Sequence, residues 1–135
     1  MKKLVFILGV GLLFLLVSCA TEAPNNSENP TLRWQTISAT EARNIMTEMG
    51  SFILLDVCTK AEFRERRIEG VILIPYDEIR SSAETELPDK NAVILIYCRS
   101  GRRSALAAAD LVALGFANIY DFGGIIDWPY ESIIE

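Results

Sequence analysis

From residue 38 onward, two spacings of apolar positions alternate along the chain. Residues 52–57 (FILLDV), 71–74, 92–97 (AVILIY) and 119–122 are short, nearly continuous apolar runs, the form expected of strands buried on both faces. Helical signals lie between them. Ser38, Ala39, Thr40 and Glu41 spell a capping box that opens a helix to about Met49, with Gly50 ending it, and Thr59, Lys60, Ala61 and Glu62 repeat the pattern because hydroxyl and carboxylate satisfy each other's exposed amides. Residues 104–114 (SALAAADLVAL) read as a third helix, with Ser104 at the N-cap and Gly115 then Phe116 supplying a left-handed stop with its apolar contact. Its alanines allow close packing on a sheet. Pro75 stops the second strand, and Gly123-Gly124 turns the chain toward a short end segment anchored by Trp128. Trp34, Phe63, Tyr120 and Trp128 are expected to pack the core.

Strands separated by helices predict an α/β domain with parallel pairing and both sheet faces covered, and in such folds ligands gather beyond the carboxyl ends of the strands. The run 92–97 is the most hydrophobic in the domain and belongs at the sheet centre, which puts Cys98 at the carboxyl end of the central strand.

The amino end carries a different pattern. Met1, Lys2 and Lys3 precede an unbroken apolar run of fourteen residues, 4–17, shorter than the roughly 20 needed to span a bilayer. It reads as the apolar part of a signal peptide. Leu16, Val17, Ser18 and Cys19 follow; this segment resembles the lipobox of bacterial lipoproteins, which implies cleavage before Cys19 and lipidation of its thiol. Residues 1–18 are thus expected to be a lipoprotein signal peptide. Residues 19–33, rich in Pro, Asn, Ser and Glu, are expected to be a flexible tether, and 34–135 the folded domain. The expected location is a lipid anchor on a bacterial membrane through Cys19, with the domain outside the cytoplasm. About 100 residues suffice to fold without disulfide staples.

Composition narrows the chemistry. The chain has no histidine, which removes imidazole bases, Ser-His and Cys-His couples and histidine metal ligands. Cysteine, carboxylates and arginine remain. With 13 basic against 18 acidic residues the net charge is −5, and losing residues 1–18 takes away two lysines and no acid, moving it to −7. No run of Lys and Arg offers a grip on nucleic acid, and a monomer is expected.

The loop Cys98-Arg99-Ser100-Gly101-Arg102-Arg103 concentrates three favourable features. It feeds a helix N-terminus, whose unpaired amides favour an anion. Arg99, Arg102 and Arg103 add positive charge, which favours a thiolate over a thiol. Ser100 and Gly101 let the backbone curl so that N–H groups point inward as an anion nest. The expected result is a reactive Cys98 in a small cationic bowl, with at least one arginine serving only solubility or a salt bridge. Cysteine phosphatases and arsenate reductases also cup anions this way, but their pattern is Cys, five residues, then Arg. Here that sixth position is Ser104.

Leu54-Leu55-Asp56-Val57, Glu62-Phe63, Ile68 with Gly70, Ile74-Pro75, Tyr97 through Gly101, Arg103-Ser104, Leu114-Gly115-Phe116 and Gly123-Gly124 with Trp128 together resemble the single-domain rhodaneses, from about Ile37 onward. The resemblance implies a five-stranded parallel sheet with helices on both faces. It also implies a sulfurtransferase in which Cys98 takes sulfane sulfur from a small anionic donor such as thiosulfate, holds it as a persulfide, and passes it to a thiol or cyanide-like acceptor. It implies no cofactor and no metal. Arg99, Ser100, Gly101, Arg102, Arg103 and Ser104 would form the substrate-binding loop.

Two segments depart from the family pattern. Asp56-Val57-Cys58 stands where Asp-Val-Arg is usual, and Arg66-Arg67-Ile68-Glu69 replaces Gly-His-Ile-Pro in what reads as a surface turn, with Arg67 an exposed charge. Asp56 and Cys58 are candidate supporting residues. Cys58 either fills the space the arginine vacated or makes a redox couple with Cys98, giving an extracytoplasmic thiol-disulfide protein. A rhodanese-like binding module without catalysis is the third reading.

Overall fold

The most apolar run of the domain folds as the middle strand of a five-stranded sheet. The computed structural model describes residues 34–135; the expected signal peptide, the tether and Cys19 lie outside the described residues. In chain order the elements are β1 (Gln35–Thr36), α1 (Ala39–Glu48), β2 (Ile53–Asp56), α2 (Lys60–Glu65), β3 (Arg66–Arg67), β4 (Ile72–Leu73), α3 (Ile79–Glu86), β5 (Val93–Cys98), α4 (Arg102–Ala113), β6 (Asn118–Gly124), a 3-10 turn (Ile125–Asp127) and β7 (Ile133–Ile134).

The main sheet runs β1-β6-β5-β2-β4 and every pairing in it is parallel. Register places Leu55 beside Ile96 on one side and Ile72 on the other. Alternation along β2 and β5 divides the core between two faces. Leu55, Val57, Ile94, Ile96 and Cys98 pack with Ile79 and Ala83 of α3 and Ala107, Ala108 and Leu111 of α4. Leu54, Leu95 and Tyr97 pack on the opposite face with Ala42 of α1, Phe122, Ile125 and Trp128. Helices therefore cover both faces, as the alternation of elements predicts.

Local chemistry accounts for most boundaries. Ser38 and Thr59 both close complete capping boxes with Glu41 and Glu62. Gly115, at φ 91°, ends α4 left-handed while the Phe116 N–H donates to the Leu111 carbonyl at 3.0 Å.

Four expectations are corrected. The α4 N-cap is Gly101, not Ser104, because the left-handed Gly101 (φ 97°) turns the chain into the helix early. Ser104 is instead buried in the first turn, its hydroxyl donating back to the Gly101 carbonyl at 2.9 Å. Arg66 and Arg67 do not lie in a turn: they pair antiparallel with β7, and Arg67 is largely covered, its guanidinium on Glu135 and over the Phe63 ring. Phe63 consequently stacks on Arg67 at the surface and belongs to neither core cluster. Finally, α3 forms where no helix was anticipated. It has no side-chain cap, and it is held by Ile79, Ala83 and Leu87, all fully buried at helical spacing. Among the described residues no helix is long and apolar enough to cross a membrane.

Candidate active site

Strand β5 delivers Cys98 to the carboxyl edge of the sheet, with its side chain shut off from solvent. Immediately beyond it the chain reverses, and the amide of Gly101 donates to the Cys98 sulfur at 3.0 Å. The positive φ of Gly101 lets the chain enter α4 at the next residue with that amide still facing the sulfur, and glycine adopts such a backbone without steric cost.

The floor under the loop is also backbone. Cys98 pairs with Gly124, and a Cβ on Gly124 would stand 2.6 Å from the Arg99 carbonyl oxygen and 2.8 Å from the Ser100 Cα. A Cβ on Gly101 would approach the Gly123 Cα to 3.4 Å. The Ile126 amide donates to the Arg99 carbonyl at 3.2 Å, and the Gly123 amide to the Asp121 carboxylate at 3.0 Å. Burial raises the pKa of Asp121. The two glycines look in sequence like a turn; their close approach to a loop more than twenty residues earlier is visible only in three dimensions.

The loop's charges separate in space. Arg103 is held by Glu62 through two hydrogen bonds of 2.7 and 2.9 Å, with its guanidinium over Tyr76. The hydrogen bonds from Arg103 hold the Glu62 carboxyl down at about 2, helped by its capping bonds to Thr59. Glu62 thus joins α2 to the first turn of α4, a role that its reading as a helix cap did not reveal. Arg99 is 54% exposed, and its contacts with Glu65 and Glu62 are long, 3.7 and 3.9 Å. Arg102 and Ser100 face solvent.

Asp56 and Cys58 are packed inside the neighbouring edge, at the end of β2. Asp56 is fully buried; one carboxylate oxygen accepts the Cys58 amide at 2.7 Å and the other has no hydrogen-bond partner. Burial raises the Asp56 pKa. Burial and the adjoining Asp56 push the Cys58 thiol far above its ordinary range, which keeps it in the unreactive neutral form. Both cysteines are free thiols.

A cavity of about 210 Å³ opens beside the loop, lined by Cys58, Glu62, Glu65, Arg66, Arg99, Ile125 and Ile126. A larger groove of about 680 Å³ lies elsewhere, with Arg43, Met46, Phe52 and Ile133 in its walls and no residue of the Cys98 loop. Among the described residues no group of three His, Cys, Asp or Glu side chains is placed to hold a metal.

The rhodanese-like domain model matches residues 38–129, which takes in both edges of the site. The chain belongs to the rhodanese-like family. Its relatives include the thiosulfate sulfurtransferase PspE of Escherichia coli, 32% identical over 73 residues, covering 54% of this chain and 70% of the relative. A sulfurtransferase of Allochromatium vinosum is 38% identical over 84 residues, covering 60% of this chain and 75% of that protein. A solved structure of a rhodanese with anions from E. coli superposes with a TM-score of 0.59 at 27% identity, over 63% of this chain and all of the other. Rhodanese-like membership makes this a chain of a sulfurtransferase-type enzyme family. Where the usual rhodanese pattern is Asp-Val-Arg, this chain has Cys58, and Asp56 is buried with one oxygen unpaired.

Proposed function

We propose that this rhodanese is a thiosulfate-type sulfurtransferase in which Cys98 carries the sulfur. The observation that carries the reading is the Gly101 N–H aimed at the Cys98 sulfur at 3.0 Å. That donor favours an anionic sulfur on Cys98, the thiolate form that takes up the sulfur and is regenerated when it leaves. A donor such as thiosulfate enters as an anion, its outer sulfur bonds to Cys98, and sulfite leaves. A thiol or cyanide-like acceptor then removes that sulfur. Arg99 and Arg102 supply the attraction for the donor, because a local cationic pocket outweighs the protein's distant negative charge; Arg103, held by Glu62, shapes the loop. The name of the E. coli relative and the anions in the E. coli rhodanese support this chemistry. The same proposal includes the amino-terminal reading, a lipoprotein signal over 1–18 and a lipid on Cys19 holding the domain on a membrane outside the cytoplasm.

The decisive test is intact mass of the pre-reduced protein before and after thiosulfate, beside Cys98→Ser. The expected result is a gain of one sulfur, absent in the variant and reversed by cyanide. Loss of two hydrogens on mild oxidation with no sulfur gained would replace the transferase reading with a Cys58–Cys98 redox couple.

A further inference from the structure

The cavity beside the loop is built differently from the loop around Cys98. Its position is fixed by the sheet: Arg99 follows Cys98, Ile125 follows Gly124, which pairs with Cys98, and Cys58 lies two residues past Asp56, the last position of β2 paired with β5. The cavity therefore shares its wall with the loop. Its charges do not cancel. Glu62 is occupied by Arg103, leaving Arg66 and Arg99 against Glu65, which is 70% exposed at the rim. Arg66 is braced by the Ser132 hydroxyl at 3.0 Å and the Trp128 carbonyl at 3.1 Å, and no carboxylate among the described residues pairs with it. A guanidinium so held is pre-aimed for an incoming carboxylate.

The remaining wall is apolar. Ile125 is buried, and Ile126 is 56% exposed although large and aliphatic. An inorganic donor gains nothing from that surface, whereas an organic molecule buries its carbon frame there. At about 210 Å³ the space lies below the ~300 Å³ at which drug-sized pockets begin and holds roughly seven waters' volume. A small molecule fits.

We propose that this cavity is the acceptor subsite and that it takes a small organic thiol bearing a carboxylate. Arg66 anchors the carboxylate with help from Arg99, and Ile125 and Ile126 pack against the carbon chain. The proposal rests on the persulfide reading of Cys98. In the transfer, the acceptor thiol gives its proton to the outer sulfur of the anionic Cys98 persulfide, and the resulting thiolate attacks that sulfur to form a new sulfur–sulfur bond. The bond to Cys98 breaks with its electron pair left on Cys98 as thiolate, and the proton stays on the transferred sulfur. No outside oxidant or reductant is needed.

Two measurements on the full-length chain in mild detergent test this. First, butyrate, a carboxylate with no sulfur to react, is titrated into the unloaded protein while amide signals of Arg66, Arg99, Ile125 and Ile126 are followed by NMR. Saturable shifts are expected, and butanol should produce none. Second, the thiosulfate-loaded protein is discharged with 3-mercaptopropionate, 2-mercaptoethanol or cysteamine at equal thiolate concentration. The carboxylate thiol should be fastest. Its advantage over 2-mercaptoethanol should fall about tenfold in Arg66→Gln, the scale of one lost charge-assisted contact. It should fall similarly in Ile126→Asp, which alters an exposed side chain and leaves the bracing of Arg66 intact, and rise two- to threefold, roughly, in Glu65→Gln. Equal discharge by the three thiols, with no butyrate shifts, overturns the subsite. Butyrate binding without any persulfide loading leaves the subsite standing and removes the transfer reading instead.

Discussion

Cys98 closes β5 and Cys58 follows β2 by two residues, at the same edge of the same sheet, and both side chains are sealed from solvent. Beyond Cys98 the chain turns left-handed at Gly101 and points an N–H at the sulfur. Beyond Asp56 the chain folds back on the carboxylate, so Cys58 has a carboxylate for a neighbour and is held neutral. Two cysteines at one edge of one sheet thus have different nearest partners, an N–H for Cys98 and a carboxylate for Cys58. The lesson is that the turn after the strand, more than the strand or the residue type, decides which cysteine suits anionic chemistry.

The sharpest break of that comparison is a pair of substitutions. Cys98→Ser should abolish sulfur uptake, whereas Cys58→Ser should retain turnover within about twofold and lose about 1 kcal/mol of stability, as small buried substitutions do. Thiosulfate turnover and urea denaturation read the two effects. Equal loss of turnover in both variants would end the distinction.

The next largest effect belongs to the loop's floor. Gly124→Ala drives a Cβ to 2.6 Å from the Arg99 carbonyl, so the loop must shift; a cost of about 1–3 kcal/mol follows from overpacking. Turnover should fall at least tenfold, roughly, by misplacement of the Gly101 amide. Denaturation together with turnover distinguishes a shifted loop from an unfolded one.

Glu62 and Asp56 should titrate with opposite signs. The folded Glu62 carboxyl lies at about 2 against its ordinary 4.5, so the unfolded state binds the proton more tightly. Its stabilisation is complete above pH 4.5 and is lost as pH falls toward 2. Glu62→Gln should remove that part of the acid slope and cost on the order of 2 kcal/mol at neutral pH. Asp56, raised by burial, favours the folded state most when protonated, so its contribution declines as pH rises from 3.8 through its folded value. Asp56→Asn should gain about 1 kcal/mol at pH values above that window and nothing below it. Denaturant midpoints across the acid range, with both variants beside the parent, check the two slopes; a gain for Glu62→Gln would reverse the assignment.

Elements whose causes are local carry their signal in the chain itself. The two capping boxes, the left-handed stop at Gly115 and the apolar run of β5 each depend on residues a few positions apart. The N-cap of α4 falls at Gly101 although Ser104 is a good cap by type, because the left-handed turn at Gly101 beds the loop on Gly123 and Gly124. Helix α3 lacks a cap and is held by burial of one side, and β3 pairs with a strand more than sixty residues away. The β3 pairing leaves no short-range trace, whereas α3 leaves one in the helical spacing of Ile79, Ala83 and Leu87. Cys98 and its loop arginines stand out in the sequence by their crowding, and Cys58 by its departure from the rhodanese pattern, but which arginine is engaged depends on Glu62, forty-one residues from Arg103.

Strands β2, β4, β5 and β6, helices α1, α2 and α4, the parallel α/β class and the position of Cys98 at a strand's end follow from apolar spacing and turn chemistry, since these act over a handful of residues. Which face each helix covers, the clamp of Glu62 on Arg103, the orphaned oxygen of Asp56 and the cavity behind Arg99 required the assembled sheet. Each is a contact between segments far apart in the chain, and only packing brings such segments within reach of a hydrogen bond or an ion pair.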